Sequence, residues 1–451
     1  MTVLERLGAH AVGGYRQGVS GALREAVRLH LADTVGAWIA ASSTDEGRAL
    51  LRFEASDRGT LPGRVALNCA LARLSEVDDI HLGSATTPGA IVAAAAITLA
   101  GVSGIGGAAV GEAVAAGYDL MTRLGAALDG AVVLYQGLWP TYFAAPFGAA
   151  AVASRLLELD QGQAAHALAI ALALSSPSVG RQSGTSMSRW LAIGNAVRNG
   201  VAAALAARAG FTGDLRLFEG DFFPGAHRLS PNLGALIEGL EERPAVAQTS
   251  FKPWSAAKQT MAATQALREI IEEGVPTAEM ERLAVSVPPH CLKMIDHGVV
   301  PGERMSYLTS VQYQMALVAL DPNASIDVKQ ARGSLPQAIE QFMARISVDA
   351  DEDLLQYYPR SWAASLVVET AKGGHRKLIR HVPGDPERPF DELQIAVKFW
   401  RLTAPLVGER STEELLRLSL AALDADGGPG ALLEAIEKNV AAIARAQAVN
   451  A

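Results

Sequence analysis

Cysteine is scarce in this sequence: a chain of 451 residues contains only two, Cys69 and Cys291. Neither stands in a spacing typical of metal ligands, and the two lie far apart along the chain. This usage is typical of proteins of the reducing cytoplasm. We therefore expect two buried thiols that behave as small hydrophobic side chains.

A surplus of positive charge is also lacking. The chain carries 39 Lys and Arg against 47 Asp and Glu, which gives a formal net charge of -8. Because binding to phosphates needs a basic surface, this balance argues against nucleic acid or an anionic membrane as the main partner. A small anionic substrate stays compatible with the composition, since it requires only a few local cations.

Targeting and membrane-spanning signals are missing as well. The first residues, MTVLERLGAH, lack a basic region followed by an apolar one. Residues 82–111 carry no charge, but they consist largely of Ala, Gly, Ser and Thr. Such a span is a weak bilayer anchor. We therefore expect buried helices in a cytoplasmic protein.

The common catalytic motifs are absent from the sequence, which has no P-loop, HExxH, GxSxG or CxxC. The stretch SGIGGAAVG at residues 103–111 partly resembles a dinucleotide-binding loop, but it follows an Ala-rich helix instead of a strand. We expect no nucleotide cofactor there. Chemistry must then come from polar clusters between apolar helices.

Apolar residues, in contrast, are plentiful and make up 49% of the chain. The length of the chain predicts two or three domain-sized units. Residues 1–247 show helical spacing of apolar residues, interrupted by loops such as GLWPTYFAAPFG. Residues 248–395 mix helices with short strand-like pieces, and residues 396–451 return to helix. We predict a mainly α protein, in which both chain ends form a large all-helical domain and a smaller α+β domain is inserted.

One polar loop precedes the Ala-rich helix. It contains Asp78, Asp79, His81 and Thr86, and Pro88-Gly89 then begins the helix. Because the first-turn N–H groups of a helix are unpaired and its N-terminus is positive, this arrangement predicts an anion site. The alternative interpretation is a buried helix capped by its own loop.

Four further polar clusters stand on loops. Each also fits a structural role, since carboxylates cap helices, lysines are solvated and tyrosines fill domain interfaces. The clusters are Trp139, Thr141 and Tyr142; Arg181, Ser186, Ser188 and Arg189; Lys252 and Lys258; and Arg304, Tyr307, Gln312 and Tyr313.

Taken together, these stretches resemble the MmgE/PrpD family, which includes 2-methylcitrate dehydratase, cis-aconitate decarboxylase and iminodisuccinate epimerase. The order and spacing of several segments carry the resemblance over nearly the whole chain. These segments are DDIHLGSATTPGA, GYDLMTRLG, WPTYFAAPFGAAAVASRLL, SMSRWLAIGNAVRNGVAAALAARAGFTG and FKPW. The resemblance implies a homodimer without metal or organic cofactor. It also implies small di- or tricarboxylate substrates and an active site between the helical domain and an α+β lid.

The sequence departs from the dehydratase and decarboxylase pattern at three positions. Thr86 and Trp139 stand where those members usually carry histidine, and Arg189 stands where lysine is common. The family residues Asp79 and Lys252 are retained, as is Tyr313. Two acid/base histidines are therefore lost, while cationic and phenolic groups are kept. This pattern favours an epimerase, which needs no acid for a departing hydroxide.

We accordingly predict a cofactor-independent epimerase of an amino- or imino-dicarboxylate, with Tyr142 and Lys252 as opposed acid and base. The predicted substrate-binding residues are Asp79, His81, Thr86, Arg189, Lys258, Arg304 and Tyr313. One alternative is a dehydratase or decarboxylase of a citrate-like acid, with His81 or another group replacing the missing bases. A second is a ligand-binding family member that has lost catalysis.

Overall fold

A computed structural model describes residues 1–53, 59–176, 186–329, 333–424 and 428–449. Helices dominate these ranges. In chain order they are α1 (Val3–Gly13), α2 (Gly21–Ala41), α3 (Asp45–Phe53), α4 (Leu61–Leu74), α5 (Ala94–Ser103), α6 (Gly107–Ala127), α7 (Gly130–Gln136), α8 (Pro140–Leu156), α9 (Gln161–Ala173), α10 (Ser188–Arg208), α11 (Leu233–Ile237), α12 (Lys258–Glu272), α13 (Pro289–Ile295), α14 (Arg304–Thr309), α15 (Val311–Leu320), α16 (Gln337–Met343), α17 (Glu392–Val407), α18 (Glu409–Leu420) and α19 (Pro429–Val449).

The strands of the described residues form one sheet. They are β1 (Met280–Val287), β2 (Ile346–Ala350), β3 (Ala364–Thr370) and β4 (Gly373–Ile379), in the order β2-β1-β3-β4. The β1–β2 pair is parallel, and the β1–β3 and β3–β4 pairs are antiparallel. The structure therefore confirms a mainly α protein with a smaller α+β part.

Contacts divide the chain into two compact units. The larger unit takes in residues 187–251 and 390–451 together with the N-terminal helices, and residues 252–389 make up nearly all of the smaller unit. The larger unit contains α1–α11 and α17–α19, whereas the smaller contains α12–α16 and the sheet. The division falls between residues 251 and 252 and between residues 389 and 390. The sequence prediction gave this segment as residues 248–395.

Small residues allow the helices of the larger unit to approach closely. Helix α10 packs against both α8 and α4. A Cβ atom added at Gly200 in α10 would lie 2.2 Å from the carbonyl oxygen of Pro146 in α8. No side chain fits in this contact, so the spacing of α8 and α10 requires glycine at this position.

The prediction of a loop at GLWPTYFAAPFG was wrong over most of this segment. Helix α8 begins at Pro140 and continues through Pro146. Proline is well tolerated at the first position of a helix, where its missing N–H would have no intrahelical acceptor. The aromatic residues after Pro140 consequently belong to the first turns of a buried helix.

Candidate active site

The carboxylate of Asp79 lies buried in the larger unit and is saturated by protein donors. Its Oδ2 accepts hydrogen bonds from His30 Nδ1 at 2.7 Å and from the Tyr118 hydroxyl at 2.6 Å. Its Oδ1 accepts from the backbone N–H of Gly89 at 2.8 Å. The Gly89 amide is thus already bonded to a protein carboxylate. This geometry favours the capped buried helix over the predicted anion site at this helix start.

The rest of the acidic loop is held by buried cations of the same unit. Arg73 Nη1 lies 3.3 Å from Asp78 Oδ1 and 3.1 Å from Glu76 Oε2. Burial of Arg73 disfavours its charged form, but the two carboxylates outweigh burial and raise its pKa. Lys398 Nζ donates to the Val77 carbonyl at 2.9 Å, which fixes the start of the loop.

His81 and Thr86 are joined through Ser84. His81 Nδ1 lies 2.9 Å from Ser84 Oγ, which lies 2.7 Å from Thr86 Oγ1. Burial lowers the pKa of His81 to about 4, so its imidazole is neutral at neutral pH. His81 also lines a cavity of about 420 Å³ together with Thr122 and Arg123. Of the polar-loop residues predicted to bind substrate, His81 thus reaches a cavity, whereas Thr86 is fully buried.

Two threonines connect this loop to helix α8. The backbone N–H of Thr87 donates to Thr141 Oγ1 at 3.1 Å, and the two hydroxyl oxygens lie 3.3 Å apart. Thr141 directly precedes Tyr142 in the first turn of α8. The contact therefore fixes the turn that carries Tyr142. The sequence places Thr141 in a polar cluster but carries no signal for its pairing with Thr87.

The hydroxyl of Tyr142 is buried, and it neither accepts nor donates a hydrogen bond within the described residues. Its side chain is 1% exposed and meets the Trp139 ring edge to face at 5.7 Å. The Arg73 guanidinium is near enough for a charge on Tyr142 to interact with it. Buried polar groups without hydrogen bonds are rare in folded proteins. The Tyr142 oxygen is consequently a candidate to contact a bound ligand.

Arg189 contacts the same tryptophan ring as Tyr142. Its guanidinium carbon is 4.2 Å from the centroid of the Trp139 ring and 4.9 Å from that of Trp190. Its Nη2 atom is buried, and no hydrogen-bond acceptor for it is found in the described part of the chain. An arginine held by its π face with a donor to spare is suited to bind a carboxylate.

Lys252 begins the main segment of the smaller unit, residues 252–389, and is buried, with 2% of its surface exposed. It follows a backbone pairing within the larger unit, where Ile80 and Ser250 exchange N–H···O=C bonds of 2.9 and 2.8 Å. The segment that leads to Lys252 is therefore attached to the polar loop that carries Asp79 and His81.

The other predicted residues of the smaller unit have different environments. Lys258 Nζ is hydrogen-bonded to the buried carboxylate of Asp385, so its ammonium is held in an ion pair. This geometry favours a structural role over the predicted binding of substrate. Arg304 Nε donates to the Val328 carbonyl at 2.7 Å. Tyr313 meets Tyr307 edge to face at 5.0 Å and lines a cavity of about 400 Å³.

The structure thus brings four predicted residues of the larger unit together in two pairs. His81 and Thr86 are joined through Ser84, and Tyr142 and Arg189 both contact the Trp139 ring. Asp79 is bonded to His30, Tyr118 and Gly89 instead. Among the predicted residues of the smaller unit, Lys258 pairs with Asp385, Arg304 donates to the Val328 carbonyl and Tyr313 packs on Tyr307. Ser188 is exposed at the start of α10, and Arg181 falls outside the described residues.

A model of the MmgE/PrpD N-terminal domain matches residues 5–229, and a model of the MmgE/PrpD C-terminal domain matches residues 254–422. The chain belongs to the MmgE/PrpD family. Members of this family are generally enzymes and include both dehydratases and epimerases. No curated protein matches the chain in a sequence search.

The described residues contain no helix with the length and apolar character that crossing a membrane requires. They also contain no group of three or more His, Cys, Asp or Glu side chains arranged to hold a metal ion.

Proposed function

We propose that this protein is a cofactor-independent epimerase of a small amino- or imino-dicarboxylate of the iminodisuccinate type. The observation that carries the proposal is the buried Tyr142 hydroxyl, which has no hydrogen bond within the described residues. The Tyr142 ring and the Arg189 guanidinium both contact the Trp139 ring. The buried Nη2 atom of Arg189 likewise has no hydrogen bond within the described residues. A phenol for proton transfer and a guanidinium for carboxylate binding are the groups that epimerisation beside a carboxylate requires.

The residues at positions 86 and 139 support an isomerase over a lyase. The Thr86 hydroxyl is fully buried and bonded to Ser84, and the Trp139 ring supports Arg189. Neither a threonine hydroxyl nor an indole is an acid or base near neutral pH. Dehydration needs an acid to protonate the departing hydroxide. Epimerisation has no leaving group and needs one acid and one base.

In the proposed mechanism, Tyr142 and Lys252 act on opposite faces of the carbon beside a carboxylate. One removes the proton from this carbon, and the electron pair of the broken C–H bond moves into the carboxylate to give an enediolate. The other residue then donates a proton to the opposite face. Arg189 binds the carboxylate and stabilises the added negative charge, while Arg304 and Tyr313 bind the second carboxylate. No atom is gained or lost in the overall reaction.

A dehydratase or decarboxylase of a citrate-like acid is the second candidate. It is favoured by His81, a neutral imidazole that lines a cavity of about 420 Å³. A neutral imidazole accepts a proton, so His81 would replace the histidines that this chain lacks.

The experiment that separates these functions is NMR in D2O with the purified protein. The panel consists of iminodisuccinate stereoisomers, 2-methylcitrate, citrate and cis-aconitate. Interconversion of stereoisomers without loss of water or CO2 supports the epimerase. A new alkene or release of CO2 would overturn it in favour of a lyase. No turnover together with thermal stabilisation by one acid would indicate a ligand-binding protein.

A further inference from the structure

His30 contacts both sides of the backbone pairing that precedes Lys252. Its Nδ1 donates to Asp79, the residue before Ile80, at 2.7 Å. Its ring stacks on Phe251, the residue after Ser250, with centroids 4.1 Å apart and an interplanar angle of 22°. The paired residues, Ile80 and Ser250, lie between these contacts along their own segments.

The same place is where the chain leaves and re-enters the larger unit. Phe251 is the last residue of the larger unit before the smaller one, and Phe390 is the first after it. Their rings stack at 6.1 Å with an interplanar angle of 10°. Phe251 also belongs to a buried cluster with Leu29 and Ile395, against which Phe390 packs. His30 follows Leu29 on helix α2. It therefore contacts Phe251, where the chain leaves the larger unit, directly, and it supports Phe390, where the chain returns, through Phe251.

We infer that His30 is a positioning residue, which fixes the segment Ser250–Phe251 against the polar loop and thereby sets the backbone position of Lys252. Stacking alone would hold only Phe251, and the hydrogen bond alone would hold only Asp79. The imidazole does both. The inference rests on the proposed function, because it is Lys252, as acid or base, that would need this precise placement.

A second buried histidine supplies a matched control. His10 Nε2 lies 3.1 Å from Asp119 Oδ2, which also accepts from the Tyr15 hydroxyl at 2.7 Å. The imidazole, carboxylate and phenol are thus repeated, since Asp79 likewise binds a histidine and a tyrosine. His10 meets Tyr15 edge to face, as His30 meets Tyr118. Within the described residues, however, His10 makes no contact with Ile80, Ser250 or Phe251. Asp119 Oδ1 also accepts a hydrogen bond from the Ala245 N–H at 2.8 Å, and replacing His10 does not remove this bond. Loss of His10 should therefore affect stability without displacing Lys252.

The test combines hydrogen exchange with kinetics in the full chain. His30→Phe keeps a ring for Phe251 but removes the bond to Asp79, and His30→Asn keeps a short amide donor but removes the stacking. We expect both variants to speed amide exchange in peptides that contain Ile80 and Ser250. We also expect kcat for iminodisuccinate to fall about 10- to 100-fold, with a much smaller change in KM, as for other supporting residues. His10→Phe should change neither quantity beyond its effect on global unfolding.

Unchanged exchange at both peptides in a folded His30 variant would overturn the inference, as would a normal kcat in both variants. If His30→Phe does not fold, His30→Asn gives the same decision. Lys252→Met separates this outcome from failure of the proposed function. Full turnover in Lys252→Met would refute the role of Lys252 itself, whereas loss of turnover there with normal His30 variants would refute only the positioning.

Discussion

The guanidinium carbon of Arg189 lies 4.2 Å from the centroid of the Trp139 ring. The same ring meets Tyr142 edge to face at 5.7 Å. Trp139 thus contacts both a phenol and a cation, and the Tyr142 hydroxyl and the Arg189 Nη2 atom are buried without hydrogen bonds within the described residues. The indole cannot transfer a proton as a histidine could, but it fixes the orientation of two groups that can bind and protonate a carboxylate substrate.

Arg189→Lys should weaken substrate binding with little effect on the fold. Lysine cannot form the two parallel hydrogen bonds that a guanidinium gives a carboxylate. We expect KM for the dicarboxylate to rise about 10- to 100-fold, the range for losing a charge-assisted hydrogen bond. Steady-state kinetics measure this effect. Arg208→Lys is the matched control, because Arg208 is an exposed residue near the end of the same helix. Equal KM values in the two variants would contradict the assignment.

Tyr142→Phe should abolish turnover while leaving the protein as stable as before. The hydroxyl makes no hydrogen bond within the described residues, so its removal breaks none there. We expect kcat to fall at least about 100-fold, as for the loss of a general acid or base. The free energy of unfolding should change by less than about 0.5 kcal/mol.

Tyr118→Phe is the contrasting variant. The Tyr118 hydroxyl donates to the buried Asp79 carboxylate at 2.6 Å. Its removal should destabilise the protein by about 1.5–3 kcal/mol, because a hydrogen bond to a buried charge is lost. Urea denaturation of both variants measures the difference. A large loss of stability in Tyr142→Phe would indicate that its hydroxyl is structural.

Lys258→Met should act on stability, whereas Lys252→Met should act on turnover. Lys258 is paired with Asp385 in the buried part of the smaller unit, and its loss leaves that carboxylate uncompensated. We expect destabilisation of about 3–5 kcal/mol, which a second change, Asp385→Leu, should largely reverse. Denaturation of the single and double variants tests this. A Lys258→Met protein of normal stability but raised KM would restore the substrate-binding role.

His81 should make the protein less stable in mild acid. Its pKa in the folded chain is about 4, below the unfolded value of about 6.5, because burial disfavours the charged ring. Between these values the unfolded state binds more protons than the folded state. Stability therefore declines as the pH falls from about 6.5 towards 4.

His81→Gln removes this titration, so its stability should decline less steeply over the same range. Urea midpoints at pH 7, 5.5 and 4.5 compare the two proteins. Parallel declines in the two proteins would show that His81 does not contribute. The neutral ring also predicts that the pH–rate profile contains no step from His81 between pH 6 and 8.

The mainly α fold could be predicted because apolar residues recur at helical spacing on both sides of a segment with strand-like pieces. Helix α8 was missed because its two prolines favoured a loop, although Pro140 occupies the first helical position. The sequence shows the position of each proline but not the backbone conformation of the residue before it. The tertiary packing of α8 determines that conformation.

The types of residue at the candidate site could be predicted from the sequence, but the partners to which these residues bond could not. Asp79 was expected to bind substrate, but two of its three donors, His30 and Tyr118, lie on helices α2 and α6, far away in sequence. Lys258 was likewise expected to bind substrate, and its carboxylate is 127 residues away. A single sequence does not reveal such long-range pairs, because each residue alone resembles a free polar group.

Following the hydrogen at the epimerised carbon tests the central claim most directly. A single stereoisomer of iminodisuccinate is incubated with the enzyme in D2O, and NMR follows both isomers at early times. We expect that the product isomer carries one deuterium, that the remaining substrate carries almost none, and that Tyr142→Phe shows no exchange. Deuterium that accumulates in the recovered substrate before product would contradict two-base proton transfer. Formation of an alkene or CO2 would contradict epimerisation itself.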